Sequence, residues 1–238
     1  MMRALITGVA GFIGSTLADR LLSDNWEVHG IDDLSTGSME NITEALANGL
    51  VFIRGDILDI TDNNYDVVFH QAAVKIDGCI NNPEKAIKTN LLGTLAVSRL
   101  GCKVIYASSA FAKGDTLYGA LKLASEKLLP TNATILRYSN VYGPRLKDGV
   151  HAIWGRQMKA GSPITIIGDG SQLRTFTHVD YIVDANLKAL SVQGTFNVAN
   201  AEPISINDLA KQMGATKVEY KPSRFSCDCV DAITVGEI

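Results

Sequence analysis

Tyr118 and Lys122 stand four residues apart, shortly after an apolar run that ends in Ser108 and Ser109. In a helix that spacing puts both side chains on one face. A free phenol titrates near 10 and is a poor base at neutral pH. A neighbouring ammonium, and the positive ring of an oxidised nicotinamide, favour the phenolate. Tyr118 can then remove a proton from an alcohol as hydride leaves its carbon. Ser109 can hydrogen-bond the same oxygen, and Lys122 can also hold the nicotinamide ribose. A Tyr-x-x-x-Lys pair is common by chance, but a pair that follows a strand-end serine and a nucleotide loop is much more specific.

The hydride acceptor has a place near the N-terminus. The stretch 7–14, Thr-Gly-Val-Ala-Gly-Phe-Ile-Gly, follows an apolar run and opens a helix-like one. Gly8 permits a tight turn, Gly11 lets the backbone approach a pyrophosphate, and Gly14 lets helix and strand pack closely. Phe12 and Ile13 begin the helix, whose N-terminus favours an anion. Asp32 lies close to the roughly 20 residues beyond the loop at which an acidic side chain holds the adenosine ribose. A carboxylate there, with Asp33 beside it, repels a 2′-phosphate. No Lys or Arg adjoins it in sequence, so NAD is favoured over NADP. Asp56 and Ile57 follow the next strand; Asp56 is either a ligand of the adenine amino group or a turn residue. Ala72 and Ala73, in His70-Gln71-Ala72-Ala73, leave room for a cofactor, and His70 reads as structural.

These residues need a parallel sheet to hold them. Strand-like runs at 3–7, 27–31, 50–54, 66–69, 103–107 and 134–137 alternate with helical patterns at 15–23, 83–98 and 118–128. Such alternation implies a doubly wound α/β fold. Residues 1–143 form a Rossmann-type NAD-binding domain, and 144–238 a small substrate-binding lobe, with the chain crossing between them. The lobe is expected to hold helices at 150–159, 180–190 and 206–212 and a strand at 163–167.

Composition narrows the class. Of 238 residues 46% are hydrophobic, and the net charge is −3. That balance suits a globular enzyme and argues against non-specific nucleic-acid binding. No apolar run is long enough to span a bilayer, and the N-terminus reads as a buried strand rather than a signal peptide. The spacing of Cys79, Cys102, Cys227 and Cys229 fits no zinc pattern, so no metal is expected. Reduced thiols in a cytoplasmic protein are the expectation.

Taken together, the motifs resemble the extended short-chain dehydrogenase/reductase family, in its NAD-dependent epimerase/dehydratase branch. The likeness runs through 7–14, 31–37, 55–57, 70–73, 90–94, 108–110, 118–122, 136–145 and 168–180, in the family's order. Within that branch it is nearest to nucleotide-sugar 4-epimerases of the UDP-glucose type. The resemblance implies that Lys75, Asn90 and Tyr138 serve the cofactor. It also implies that Asn140, Arg174 and Arg224 serve the substrate, both arginines on its diphosphate, a role a planar guanidinium suits. The motif around Arg224 is eroded, and an ordinary surface arginine is an equal reading there. His151 and Trp154 read as packing residues. The resemblance further implies a UDP-sugar substrate and a homodimer through 83–98 and 118–128. Leu91, Leu95, Leu121 and Leu128 supply either its seam or an intrachain face. Two departures stand out. Ala110-Phe111 replace the Asp-Glu pair of dehydratases, which favours epimerisation. The chain is also shortened, most of all between Ser109 and Tyr118. A reductase, a dehydratase with substitute groups, and a catalytically weak NAD-binding protein are the rival readings.

Overall fold

The computed structural model describes residues 1–222. Six strands form in the first part of the chain: β1 (Arg3–Thr7), β2 (Glu27–Asp32), β3 (Val51–Arg54), β4 (Val67–His70), β5 (Lys103–Ser109) and β6 (Thr134–Tyr138). They join a parallel sheet whose order reverses beside β1. β1 shows why both faces must be covered. Ala4 and Ile6 point into one core and Leu5 into another, the period-2 alternation of a strand buried on both sides. α1 (Phe12–Ser23) covers the first face with Leu17, Ala18 and Leu21.

Helical residues 83–98 are not one regular helix. A turn of α-helix at Pro83–Ala86 and another at Gly93–Ser98 flank a π-helical segment, Ile87–Leu92. The wide turn carries Asn90, which is buried; such turns recur at functional sites. A further helix spans Leu117–Glu126 (hereafter the Tyr-Lys helix). Leu121 of that helix is buried inside the chain, in a cluster with Cys79 and Ala86 against which Leu91 packs. Of the four leucines offered for a dimer seam, Leu121 therefore serves the intrachain face. The apolar side chains that face outward here are Ile80, Ile87, Leu92 and Leu117.

The second part of the chain builds a lobe and then returns. β7 (Asn140–Tyr142), β8 (Ile164–Ile167), β9 (Leu173–Arg174) and β10 (Phe176–His178) follow β6. β11 (Gly194–Val198) then adds to the large sheet as its seventh strand, parallel to β6. A helix at Val179–Lys188 packs its Ile182, Val183 and Ala185 into the same core as α1. The lobe has a separate core around Trp154, Ile164, Ile166, Ile206 and Leu209. Trp154 lies in a helix at Val150–Lys159 and donates its indole N–H to the Thr165 carbonyl at 2.9 Å. β12 (Ile204–Ser205) and β13 (Val218–Lys221) pair with β9 and β8.

Candidate active site

The glycine loop leaves no space for side chains. Gly8 has φ +70, and a Cβ there would lie 2.8 Å from the backbone of Ala72. A Cβ on Gly14 would lie 2.3 Å from the Gly8 carbonyl oxygen. The first intrahelical bond of α1 is Ser15 N–H to the Gly11 carbonyl, and Gly11 makes no side-chain cap. The N–H groups of Phe12 and Ile13 thus stand at the open, positive end of the helix, a cradle for a diphosphate.

Asp32 is 7% exposed and tied on both oxygens, by the Ala10 N–H at 3.0 Å and the Leu34 N–H at 2.8 Å. Burial pushes its carboxyl up, and these backbone donors pull it back. A Cβ on Gly37 would come within 2.9 Å of Asp32 Oδ1, so the glycine keeps that oxygen approachable. Asp33 and Asp56 lie beside it at the ends of β2 and β3. The fold brings cations that sequence adjacency does not show: Lys85 Nζ is 3.2 Å from Asp33, and Lys88 Nζ is 3.0 Å from Asp56. Burial raises both carboxyls, but Ser35 at Asp33 and the Leu58 N–H at Asp56, with these partly exposed lysines after them, hold both below the usual range. Asp56 also accepts from the Leu58 N–H at 3.0 Å, the local turn that its sequence position allowed.

The inner wall is a chain of buried polar groups. Asn90 clamps the Val74 peptide, accepting its N–H at 2.7 Å and donating to its carbonyl at 2.9 Å, and so fixes the segment carrying Ala72 and Ala73. Ala72 N–H donates to Thr7 Oγ1, which contacts His70 Nδ1 at 2.7 Å. His70 Nε2 contacts Thr94 Oγ1 at 3.0 Å, and Thr94 donates to the Asn90 carbonyl. Because the Thr94 proton is committed to that carbonyl, His70 must donate from Nε2 and accept at Nδ1. Burial lowers its pKa to about 3. His70 is thus a neutral bracket between β1, β4 and the π-helical turn.

The serine, tyrosine and lysine singled out in the sequence converge at the end of β5. Ser109 is buried, and its register partner on β6 is Tyr138. The Tyr138 hydroxyl accepts from Asn186 Nδ2 at 2.7 Å and from Gln71 Nε2 at 3.4 Å. Burial raises Tyr118 to about 12, against the neighbouring Ser109 hydroxyl, which favours the phenolate. Lys122 Nζ donates to the Ala107 carbonyl at 2.6 Å and lies 6.0 Å from the centre of the Tyr118 ring. Burial lowers Lys122 to about 7, against the pull of Glu126 and Cys79. The fold thus brings buried Ser109 and Lys122 together with half-buried Tyr118 at the end of β5.

A family model described as the NAD-dependent epimerase/dehydratase family matches residues 4–199. The chain belongs to this family. A UDP-glucose 4-epimerase of Mycolicibacterium smegmatis is 32% identical, over 94% of this chain and 87% of the relative. A UDP-N-acetyl-alpha-D-glucosaminuronate decarboxylase of Bacillus cytotoxicus is 34% identical, over 89% and 79%. Among solved structures, the UDP-glucuronic acid 4-epimerase of Bacillus cereus, in complex with UDP-glucuronic acid and NAD, superimposes with a TM-score of 0.83. It is 30% identical, with 93% of this chain and 87% of that one covered.

Of the remaining residues that family resemblance singles out, Asn140 and Arg174 follow β6, and Lys75 follows β4. Asn140 donates to the Thr175 carbonyl at 3.0 Å, joining β7 to the start of β10. Arg174 is in β9 and donates to the Leu173 carbonyl. Lys75 Nζ is 3.5 Å from Asp148 and largely exposed, so it spans the mouth between sheet and lobe. Arg224 lies outside the described residues. Sequence reasoning passed over Glu126, Gln71, Asn186 and Gly119. Only Glu126 carried a signal: it falls four residues after Lys122, an acid on the same helix face.

The buried ammonium has a consequence for stability. The folded pKa of Lys122 lies below its unfolded value, so between about pH 7 and 10.5 the unfolded chain binds more protons. Stability of the cofactor-free protein should therefore rise with pH from about 7 towards 10. Above 10 the raised tyrosines Tyr106, Tyr118 and Tyr138 reverse the trend. Urea midpoints measured from pH 7 to 9.5 should show the rise in the wild type and a flattened profile in Lys122→Met. An equal rise in both would assign it to other groups.

Proposed function

We propose that this chain is a nucleotide-sugar 4-epimerase, acting on a UDP-sugar with NAD held in the cleft. The observation that carries the reading is the Ser109, Tyr118 and Lys122 group at the end of β5, together with the glycine cradle. The cradle at Gly8, Gly11 and Gly14, the carboxylate of Asp32 and the wall at Ala72 and Ala73 fit the cofactor. Bound NAD would supply hydride acceptance and return at C4 of the sugar. Tyr118 takes the proton from the C4 hydroxyl and gives it back after the 4-keto sugar has turned. Ser109 holds that oxygen throughout. Lys122, in its protonated form, favours the phenolate. No acid-base pair follows Ser109: Ala110 and Phe111 stand there, and the Phe111 N–H donates to Ser109 Oγ at 3.1 Å. Elimination of water across two sugar carbons has no supporting groups at those positions.

Arg174 is assigned to the substrate diphosphate. A charge-assisted bond contributes about 1.5–3 kcal/mol, so Arg174→Ala should raise KM for the nucleotide sugar roughly 10–100-fold while kcat changes less. Steady-state kinetics check this, and an unchanged KM would remove Arg174 from the site. The outward-facing Ile87, Leu92 and Leu117 are assigned to a homodimer seam, which sedimentation of Leu92→Glu tests.

The identity of the uronate decarboxylase relative supports a second outcome at the same site, loss of carbon dioxide from a 4-keto uronic acid. A proton NMR time course in deuterated water, over a panel of UDP-sugars and UDP-uronic acids, separates the two. A C4 epimer without deuterium uptake supports epimerisation, and a pentose product with carbon dioxide release supports decarboxylation. A 4-keto-6-deoxy product would overturn both.

A further inference from the structure

β5 and the Tyr-Lys helix are joined at consecutive strand residues. The Ala107 carbonyl accepts from Lys122 Nζ at 2.6 Å, and Ser108 Oγ donates to Glu126 Oε1 at 2.5 Å. The helix partners 122 and 126 are spaced by four and share one face with Tyr118. Neighbouring strand and helix residues are thereby locked in one register.

Glu126 is the strongest of these ties. Its side chain is 5% exposed, and a buried carboxylate without partners is costly. Arg137 meets it on both oxygens, Nε to Oε1 at 2.9 Å and Nη2 to Oε2 at 2.6 Å. Arg137 is also the register partner of Ser108 on β6, one residue from the Ser109–Tyr138 pair. One carboxylate thus binds a helix to two adjacent strands immediately below the reacting hydroxyls.

We infer that Glu126 is a positioning residue: held by Arg137, it pins Ser108 and so sets the register in which the Ser109 and Tyr118 hydroxyls meet. This rests on the redox reading of that pair. The charged or titratable neighbours of the Lys122–Tyr118 face are Glu126 on the same helix, Cys79 on Ile76–Asn81, His70 on β4 and Tyr106 on β5. His70 is neutral, so Glu126 is the anion among them.

The test uses the NAD-loaded full chain. The Tyr118 midpoint is read as tyrosinate absorbance near 295 nm, by difference from Tyr118→Phe. In Glu126→Ala the midpoint should rise by about one pH unit, because the Ser109 hydroxyl that favours the phenolate is displaced from Tyr118. Turnover of the nucleotide sugar should fall roughly 10–100-fold with KM within about threefold. Glu126→Gln keeps an acceptor for Ser108 and should recover most of both. If Glu126→Ala does not fold, Ser108→Ala cuts the same tie and leaves the ion pair intact. A folded variant with a lowered Tm but an unmoved midpoint and kcat overturns the inference. If the wild type turns over no nucleotide sugar, the epimerase reading fails, and the midpoint alone supports or overturns the role of Glu126.

Discussion

Tyr118→Phe should lower turnover by about a thousandfold while leaving the fold and the bound NAD in place. The substitution removes one hydroxyl and nothing else. The ring packs against the cluster of Cys79, Ala86 and Leu121, and phenylalanine keeps those contacts. What is lost is the hydroxyl proposed to move the proton, and positioned acid-base catalysis contributes roughly 10²–10⁴-fold. The cradle at Gly8, Gly11 and Gly14 and the carboxylate of Asp32 are separate from that hydroxyl, so cofactor content should not change. The check is a pair of measurements on one preparation: kcat for the best UDP-sugar, and NAD released on denaturation. A variant that keeps more than about a tenth of wild-type turnover would show that Tyr118 is not the proton carrier. Loss of NAD together with turnover would assign it to cofactor binding.

The parts of this molecule governed by short-range rules were legible in its sequence. Short apolar runs named β1, β2, β4 and β5, the valine-rich β4 most clearly, because a strand buried on both faces needs an apolar centre. The helices Val150–Lys159 and Ile206–Gln212 followed from apolar spacing. The glycine loop and the Tyr-Lys spacing could be read because their chemistry depends on positions a few residues apart. What long-range pairing decides stayed hidden. β11 gave little signal, since only Val198 of its five residues is buried and its place beside β6 is set by tertiary contact. The π-helical turn around Asn90 has no composition of its own. Lys85 and Asp33 are distant in sequence, so their ion pair emerged only when 83–86 folded back beside the end of β2. Leu121 had two equal readings as a seam or a core residue, and its burial decides for the core.

The turn between Ser109 and Tyr118 makes Gly119 a sensitive position. Helix propensity alone would favour alanine there by about 1 kcal/mol. The structure reverses that sign. A Cβ on Gly119 would lie 2.2 Å from the Phe111 carbonyl oxygen and 3.3 Å from Thr116 Oγ1. Neither neighbour yields easily. Phe111 is backbone, and its carbonyl accepts from the Lys113 N–H at 2.7 Å; Thr116 is the helix cap and accepts from the Gly119 N–H at 3.0 Å. Overpacking of this kind costs about 1–3 kcal/mol, and relief requires the helix to move away from β5. Tyr118 would move with it, and a displacement on the order of 1 Å at a reacting group costs roughly 100-fold in rate. Gly119→Ala should therefore lower the urea midpoint and cut kcat by about that factor. Gly155→Ala is the matched contrast. It too sits within a helix, but nothing lies within 4 Å of its added Cβ, so propensity acts unopposed and stability should rise by about 1 kcal/mol. If both substitutions stabilise the protein, the Phe111 turn is able to yield, and the tight seat of Tyr118 does not depend on Gly119.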